Sequence, residues 1–450
     1  MEISVAERLA QLRKNGVDNL VIGAPDVNGN FRTKRFSLGL FTKEDVEIAF
    51  SDYLFAADRQ EALMRPRPGF TGYFPTEASG LPDVYVRPDW SLLRVLPWDP
   101  RTALVLGDFY TVDGEEVPIS PRGVLKRVIM RLEAMGLQAM AGCEFEFFIF
   151  RGRPEEVRAN TGSLTPFSTG PAYSYTRGAE DELVLGNVRR MVEQAGIPLE
   201  AANPESAPGQ NEITIRYADA LAAADYAFLY KQFISELLAR EQLTASFIAK
   251  LTRGGYGNSG HIHISLRDSD GHPLMTAPDG QFSDTTFQAL SGYLATLPEF
   301  TSFYAPYVNS YRRYQTPYSL GGDNIAWGVE NRSCAVRLIH AGTHGSRLEL
   351  RTPGSDMNPY IALAAALSGV GHGIEQRLKH PEECSGDAYQ DESINRVPND
   401  LTVATRLLHD SDLARDWLGK DFVDYYEETR FWETEQHRLA VTDWEIERYL

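Results

Sequence analysis

The sequence predicts an α+β protein built from two units, and three observations carry that prediction. Short strand-like runs crowd the chain up to about Tyr110. Beyond it, segments with helical apolar spacing are interleaved with five strands of period two. The chain has 450 residues, 43% of them hydrophobic, which is enough for more than one core.

Taken in order, Val5 to Lys14 places Val5, Leu9 and Leu12 at helical spacing, with Gly16 just past the end, and reads as a short amphipathic helix. Leu20 to Ala24 reads as a strand. Asp26-Val-Asn-Gly29 then supplies an Asn-Gly turn into a second strand through Phe36. Residues 66–82, rich in Pro and Gly, form a loop before the strand-like runs Val84–Val86 and Ala103–Leu106. Ser120-Pro121 opens a helix through Ala134, with the serine as N-cap and the proline at the first helical position. Residues 151–179 read as a long surface loop of a length that suits a functional role. A helix from about Asp181 to Ala195, a strand Asn211–Tyr217 and a helix through Leu238 follow. Strands recur at Gly260–Leu266, Cys334–Leu338 and Arg347–Arg351, and the chain from Asp400 onward is mainly helical.

The strand after the Ser120 helix is Met140-Ala-Gly-Cys-Glu-Phe-Glu-Phe-Phe-Ile-Phe150. Side chains two apart on a strand point the same way, so Glu144 and Glu146 share one face while Phe145 and Phe147 share the other. At about 4 Å and an effective dielectric of about 20, two like charges repel by roughly 4 kcal/mol. A cation must sit between them, one must hold a proton, or the face is wet.

The pattern returns on four further strands. Glu212, Thr214 and Arg216 share a face, as do His261, His263 and Ser265; Arg347 and Arg351 flank Glu349, and Arg337 stands alone in its strand. Glu205 lies in the loop before the Glu212 strand. Five carboxylates (Glu144, Glu146, Glu205, Glu212, Glu349) with His261 as a single nitrogen donor suit Mg²⁺ or Mn²⁺ better than zinc. Two divalent ions nearly balance the acids and leave the arginines free to face phosphate. Divalent metal with an arginine clamp is the equipment of phosphoryl transfer. A sheet face held by structural salt bridges is the competing reading of the same residues.

Composition removes other classes. Net charge is −18, from 62 acids and 44 bases, so nucleic acid and anionic membrane are not the main partners. No run of about 18 apolar residues suggests a membrane span. The N-terminal residues lack a signal-peptide pattern, and Cys143, Cys334 and Cys384 have neither a disulfide framework nor metal-ligand spacing. A cytoplasmic protein is expected. Trp98, Trp327 and Trp444 are read as packing residues; His340, His344 and His372 are read as structural or solvated.

At these residues the chain resembles the bacterial-type glutamine synthetase superfamily, over about residues 15–450. The blocks that carry the resemblance include Asp83-Val-Tyr-Val-Arg-Pro-Asp89, Ser120-Pro-Arg-Gly123, Glu144-Phe-Glu146 and Pro208-Gly-Gln-Asn-Glu212. Gly260-His-Ile-His263, Asn309-Ser-Tyr-Arg-Arg313, Asn331-Arg-Ser333, Arg347-Leu-Glu-Leu-Arg351 and Asn358-Pro-Tyr360 follow in order. The resemblance implies a small β-grasp-like N-terminal domain over residues 1–112. It implies a catalytic domain over 113–450 with a curved antiparallel sheet and helices. By position, Glu146, Glu205 and Glu212 would be one metal site and Glu144, His261 and Glu349 a second, with two to three Mg²⁺ or Mn²⁺ ions in all. Arg313, Arg332, Arg337 and Arg351 match the arginines on the glutamate carboxylate and the transferring phosphate. Tyr217, His263, Ser265 and Arg347 fall at the nucleotide contacts, with ATP as co-substrate. A homo-oligomer of stacked rings, commonly a dodecamer, is implied.

Two departures bear on the second substrate. Ammonia-using members carry a flap glutamate after the Asn-Ser-Tyr-Arg-Arg block; the matching place here is Ser319 or Leu320. Their N-terminal aspartate corresponds to Ser51, with Asp52 one step away. Exchanging carboxylates for Ser, Leu and aromatic residues makes room and lowers negative charge. The expected nucleophile is therefore a primary organic amine joined to L-glutamate, with Phe50, Tyr53, Phe55 and Tyr318 favouring an apolar or aromatic monoamine over a polyamine. The blocks Gly257-Asn-Ser-Gly-His-Ile-His263 and Trp444-Glu-Ile-Glu-Arg-Tyr449 also look like that amine-using branch, which serves amine catabolism. Glutamine synthetase proper, using ammonia, and a non-catalytic structural or regulatory assembly are the alternatives. Tyr256 stands where the family often has Asn, next to the glycine that meets the glutamate amino group.

Overall fold

Two sheets and the helices packed on them organise the computed structural model, which describes residues 4–41, 46–315 and 320–450. The N-terminal sheet has six strands. In spatial order Phe31–Ser37, Asn19–Pro25, Asp99–Tyr110, Asp83–Pro88 and Ala49–Ser51 lie side by side, and Arg94–Leu96 also pairs with Asp99–Tyr110. Asn19–Pro25 and Asp99–Tyr110 run parallel; their neighbours are antiparallel. The Asn-Gly turn joins the first two strands as expected: Asp26 Oδ1 accepts from the amides of Asn28 and Asn30, and Gly29 takes the left-handed conformation at φ 77°.

The second sheet holds the polar faces. Its order is Trp327–Val329, Val336–Ile339, Arg347–Leu350, Ile262–Asp268, Leu137–Arg151, Gln210–Ile215 and Leu199–Pro204. Ala218–Asp219 and Leu243–Ser246 also pair with the long central strand Leu137–Arg151. Pairing is antiparallel except between Trp327–Val329 and Val336–Ile339. The aromatic face predicted for the central strand is buried against helix Ala220–Arg240: Phe145 and Phe147 are fully buried, and Phe145 stacks on Tyr230 at 5.9 Å.

Helices Asp284–Tyr304 and Pro359–Glu375 have no counterpart in the sequence reading. They are buried nearly all round, so no polar face marks their period. They cross at closest approach through glycines. A Cβ on Gly292 would lie 2.0 Å from the carbonyl oxygen of Gly369. The 151–179 loop is also shorter than expected. Pro154–Ala159 forms a helix, and the next helix begins at Tyr175, where Ser174 Oγ accepts from the amide of Arg177. Ser120 precedes its helix as expected, but its side chain makes no capping bond.

Arg122, one residue into that helix, ties the N-terminal sheet region to helix Ala220–Arg240. Its buried guanidinium donates to Asp225 at 2.9 and 3.0 Å and to Asp108 at 2.8 Å, and reaches Asp89 at 3.1 Å. Asp108 and Asp89 belong to the N-terminal region and Asp225 to helix Ala220–Arg240.

Candidate active site

The six residues expected to hold metal converge on one cleft of about 310 Å³. Glu144 and Glu146 come from the central strand, Glu212 from Gln210–Ile215 and Glu349 from Arg347–Leu350. His261 stands one residue before Ile262–Asp268, and Glu205 one residue after Leu199–Pro204. Strand register makes the cluster: Glu146 lies opposite Glu212, and Glu349 is opposite both His263 and Arg337.

Directly opposed glutamates are unfavourable unless something neutralises them. Burial, reinforced by Glu144 and the neighbouring acids, pushes Glu212 up to about 9. Burial together with Glu205 pushes Glu146 up to about 8, against a 2.8 Å bond from the Ser259 amide. Glu205 is also raised by burial. Glu144 goes the other way: burial opposes its charge, but His263 and His261 hold it well below the usual carboxylate range. Glu349 is likewise brought to about 2, where His261 and Arg351 outweigh burial.

The histidines have defined states. Arg347 Nε donates to His263 Nδ1 at 3.2 Å, so the proton of that ring sits on Nε2, which donates to Glu144 Oε1 at 2.9 Å. His261 presents Nδ1 to Glu144 Oε2 at 3.2 Å. Its Nε2 is buried and, among the described residues, makes no hydrogen bond. Burial and Arg351 lower the pKa of His261, which favours the neutral ring and a lone pair on Nε2. Ligand atoms of Glu144, Glu212 and His261 all lie within 4.8 Å of one another. Acids forced to hold protons and a buried, unpartnered imidazole nitrogen fit hard divalent cations.

The arginines divide. Arg332, Arg337 and Arg351 line the cleft, whereas Arg313 does not: it is fully buried, donating to the carbonyl oxygens of Gly321, Arg351 and Thr352. The expectation that the arginines would be free of acids is corrected for two of them. Arg337 donates to Glu330 and Glu349, both at 2.9 Å, and Arg351 pairs with Glu349. Arg337 lies opposite Glu349 in strand register, and Arg351, two residues beyond Glu349, shares its face. Arg332 is exposed and, among the described residues, engages no acid.

All four residues expected at the nucleotide, Tyr217, His263, Ser265 and Arg347, line a second cavity of about 190 Å³. Glu144, His263 and Arg347 line both cavities, so these hydrogen-bonded side chains form a wall common to the two. His344, read from sequence as structural or solvated, also lines the smaller one.

Sequence reasoning missed Tyr173. It sits in the loop before helix Tyr175–Gln194, lines the acidic cleft, and holds a left-handed backbone at φ 54° with its amide on the carbonyl oxygen of Pro204. Tyr256 and Leu320 line the same cleft. Phe55 is a buried core residue packed on Phe109 at 5.1 Å, and among the described residues Ser51, Asp52, Phe50 and Tyr53 do not reach the cleft of their own chain. Tyr318 and Ser319 lie outside the described residues. Trp327 is buried as expected, but Trp444 is 59% exposed.

The glutamine synthetase catalytic-domain family matches residues 118–449. The chain belongs to the glutamine synthetase family. Among its relatives is glutamate–isopropylamine ligase of a Pseudomonas species, 35% identical over 98% of this chain and 96% of the relative. Gamma-glutamylethanolamide synthetase GlnA4 of Streptomyces coelicolor is 37% identical over 99% of this chain and 95% of the relative. Glutamine synthetase of Thermus thermophilus is 32% identical, over 90% and 92%. In three dimensions, GmaS without ligand superposes with a TM-score of 0.84 at 25% identity, covering 99% of both chains. The α+β architecture is therefore that of the glutamine synthetase family.

Proposed function

We propose that this glutamine synthetase family member is an ATP-dependent ligase that joins the γ-carboxylate of L-glutamate to a primary organic amine. The observation that carries the reading is the shared wall of the two cavities. Glu144, His263 and Arg347 border both the smaller cavity and the acidic cleft. ATP in the first would present its terminal phosphate to the second. A glutamate γ-oxygen attacks that phosphorus, ADP departs, and the amine nitrogen then attacks the acyl carbon of γ-glutamyl phosphate, releasing inorganic phosphate.

Glu144, Glu146, Glu205, Glu212, His261 and Glu349 would hold two to three Mg²⁺ or Mn²⁺ ions, which supply charge neutralisation around the phosphates. Arg332, which lines the cleft and among the described residues engages no acid, would meet the transferring phosphate. Arg347 and His263 hold Glu144 at the junction. Tyr173, Tyr256 and Leu320 give the cleft an aromatic and apolar border where an ammonium-selective site would want carboxylates. That border supports an apolar or aromatic monoamine, and the glutamate–amine ligases among the relatives support an organic amine as such. Such an enzyme suits amine catabolism in the cytoplasm. A homo-oligomer of stacked rings belongs to the same reading, supported by the terminal helix Asp443–Tyr449, which leaves Trp444 and Tyr449 exposed.

The test is phosphate release from ATP with glutamate and a panel of amines, with and without divalent metal. An organic amine is expected to give the highest kcat/KM. Ammonium ranking first would return the chain to glutamine synthetase proper, and no metal-dependent turnover with any amine would leave a non-catalytic assembly.

A further inference from the structure

Beside Arg332, two cysteines from distant parts of the chain meet. Cys334 is fully buried and packs with Ala326 and Ala388, and Cys384 packs against this small cluster from its partly exposed side. The segments that carry them are laced together. Asn331 Nδ2 donates to the carbonyl oxygens of Cys384 at 3.0 Å and Gly386 at 2.8 Å. Ser333 Oγ accepts from the Ala388 amide at 2.9 Å, and the Cys384 amide donates to the carbonyl oxygen of Trp327 at 2.9 Å. The backbone around Arg332 is thus set by the contact between residues 331–334 and 384–388.

We propose that Cys334 and Cys384 are an oxidative modification site: they close to an intrachain disulfide in the presence of a peroxide, and closure displaces Arg332 and depresses the reaction. The two sulfurs come from elements that already touch. Cys384 is a half-buried residue whose thiol donates to the carbonyl oxygen of Gly386 at 3.5 Å, and the buried thiol of Cys334 stands next to it as the resolving group. Burial, then Cys384 itself, pushes the Cys334 thiol up to about 12, and the attacking group is the one at the partly exposed position, Cys384. Its thiolate attacks hydrogen peroxide, giving a sulfenic acid and hydroxide. Cys334 sulfur then attacks the sulfenic sulfur; its proton and the departing hydroxyl leave as water. Two thiols and one peroxide yield one disulfide and two waters.

Bonding requires the sulfurs to come closer than van der Waals contact. Cys334 is fixed in the core, so the strain falls on the hydrogen-bonded 331–333 turn and its Arg332. Misplacing a catalytic group by about 1 Å can cost about 10²-fold. The link between oxidation and rate rests on the ligase reading; the disulfide itself does not.

The experiment treats the reduced full-length protein with hydrogen peroxide, counts thiols, maps peptides without reduction and follows phosphate release. Expected are a fall from three free thiols to one, a Cys334–Cys384 linked peptide, and at least about a tenfold loss of turnover that dithiothreitol restores. Cys384→Ser should keep the starting turnover and resist peroxide, and Cys143→Ser should behave as the parent. Over-oxidation of Cys384 with no linked peptide overturns the site. A linked peptide with unchanged turnover in an active enzyme overturns the effect on Arg332. If no turnover is found at all, the linked peptide still decides the site.

Discussion

His261 Nδ1 lies 3.2 Å from Glu144 Oε2, and this contact determines which nitrogen of the ring is left for a ligand. A carboxylate accepts, so Nδ1 carries the proton, and the buried Nε2 keeps its lone pair. Replacing His261 with Ala should weaken divalent-cation binding by more than the about 10–100-fold typical of outer-shell changes. His263→Gln, which only loosens Glu144, should fall within that range. Calorimetric titration of Mn²⁺ into each variant checks the order; equal affinity for the parent and His261→Ala would remove His261 from the metal site.

The opposed pair Glu146 and Glu212 predicts a pH signature. Their pKa values are raised in the folded chain to about 8 and about 9, above the ordinary carboxylate value. Between about pH 4.5 and those values the folded state binds more protons than the unfolded state, so stability of the metal-free protein falls as pH rises. Bound cations replace the protons and should abolish the decline. Metal-free Tm should therefore drop between pH 6 and 9, and the Tm gain from Mg²⁺ should grow over the same interval. Glu212→Gln should raise metal-free Tm at pH 8 while lowering phosphate release by at least about 10²-fold. A flat metal-free profile would mean that the acids are not crowded as described.

What the sequence made legible was the face, not the rotamer. Period two placed Glu144 with Glu146 and His261 with His263, and register then brought Glu212 and Glu349 to them. Nothing in that alternation could tell that Arg337 and Arg351 would turn to Glu349, or that Arg313 would spend its donors on carbonyl groups. Tyr173 was hidden for another reason: its position depends on one amide bond to Pro204 from a loop without periodicity. Helix Pro359–Glu375 escaped because a segment apolar on every side has no period to read.

Arg122 is the residue on which stability should depend most visibly outside the cleft. It is 1% exposed and joins Asp225 and Asp108, both also buried. Removing one member of a buried ion network leaves uncompensated charge and costs about 3–5 kcal/mol. Arg122→Met should lower unfolding free energy by that amount in a denaturant titration, with Asp225 left to the hydroxyl of Tyr360 and Asp108 to Lys126. A loss under about 1 kcal/mol would show that water reaches the site.

Leu320 provides the sharpest test of substrate choice. It borders the cleft with Tyr173, Tyr256 and Arg332, at or beside the place where ammonia-using relatives are expected to carry a flap glutamate. Its backbone is left-handed at φ 50°, a conformation that Leu and Glu find equally awkward, so Leu320→Glu exchanges chemistry with little change in backbone strain. A carboxylate there adds an acceptor for a small hydrated cation and charges the wall that an apolar amine would touch. One charge-assisted hydrogen bond contributes about 1.5–3 kcal/mol, or roughly tenfold and more in rate. The ratio of kcat/KM for ammonium to that for the best organic amine should rise at least about tenfold in Leu320→Glu, with metal affinity unchanged. An unchanged ratio in a folded, metal-binding variant would place amine selection elsewhere in the cleft.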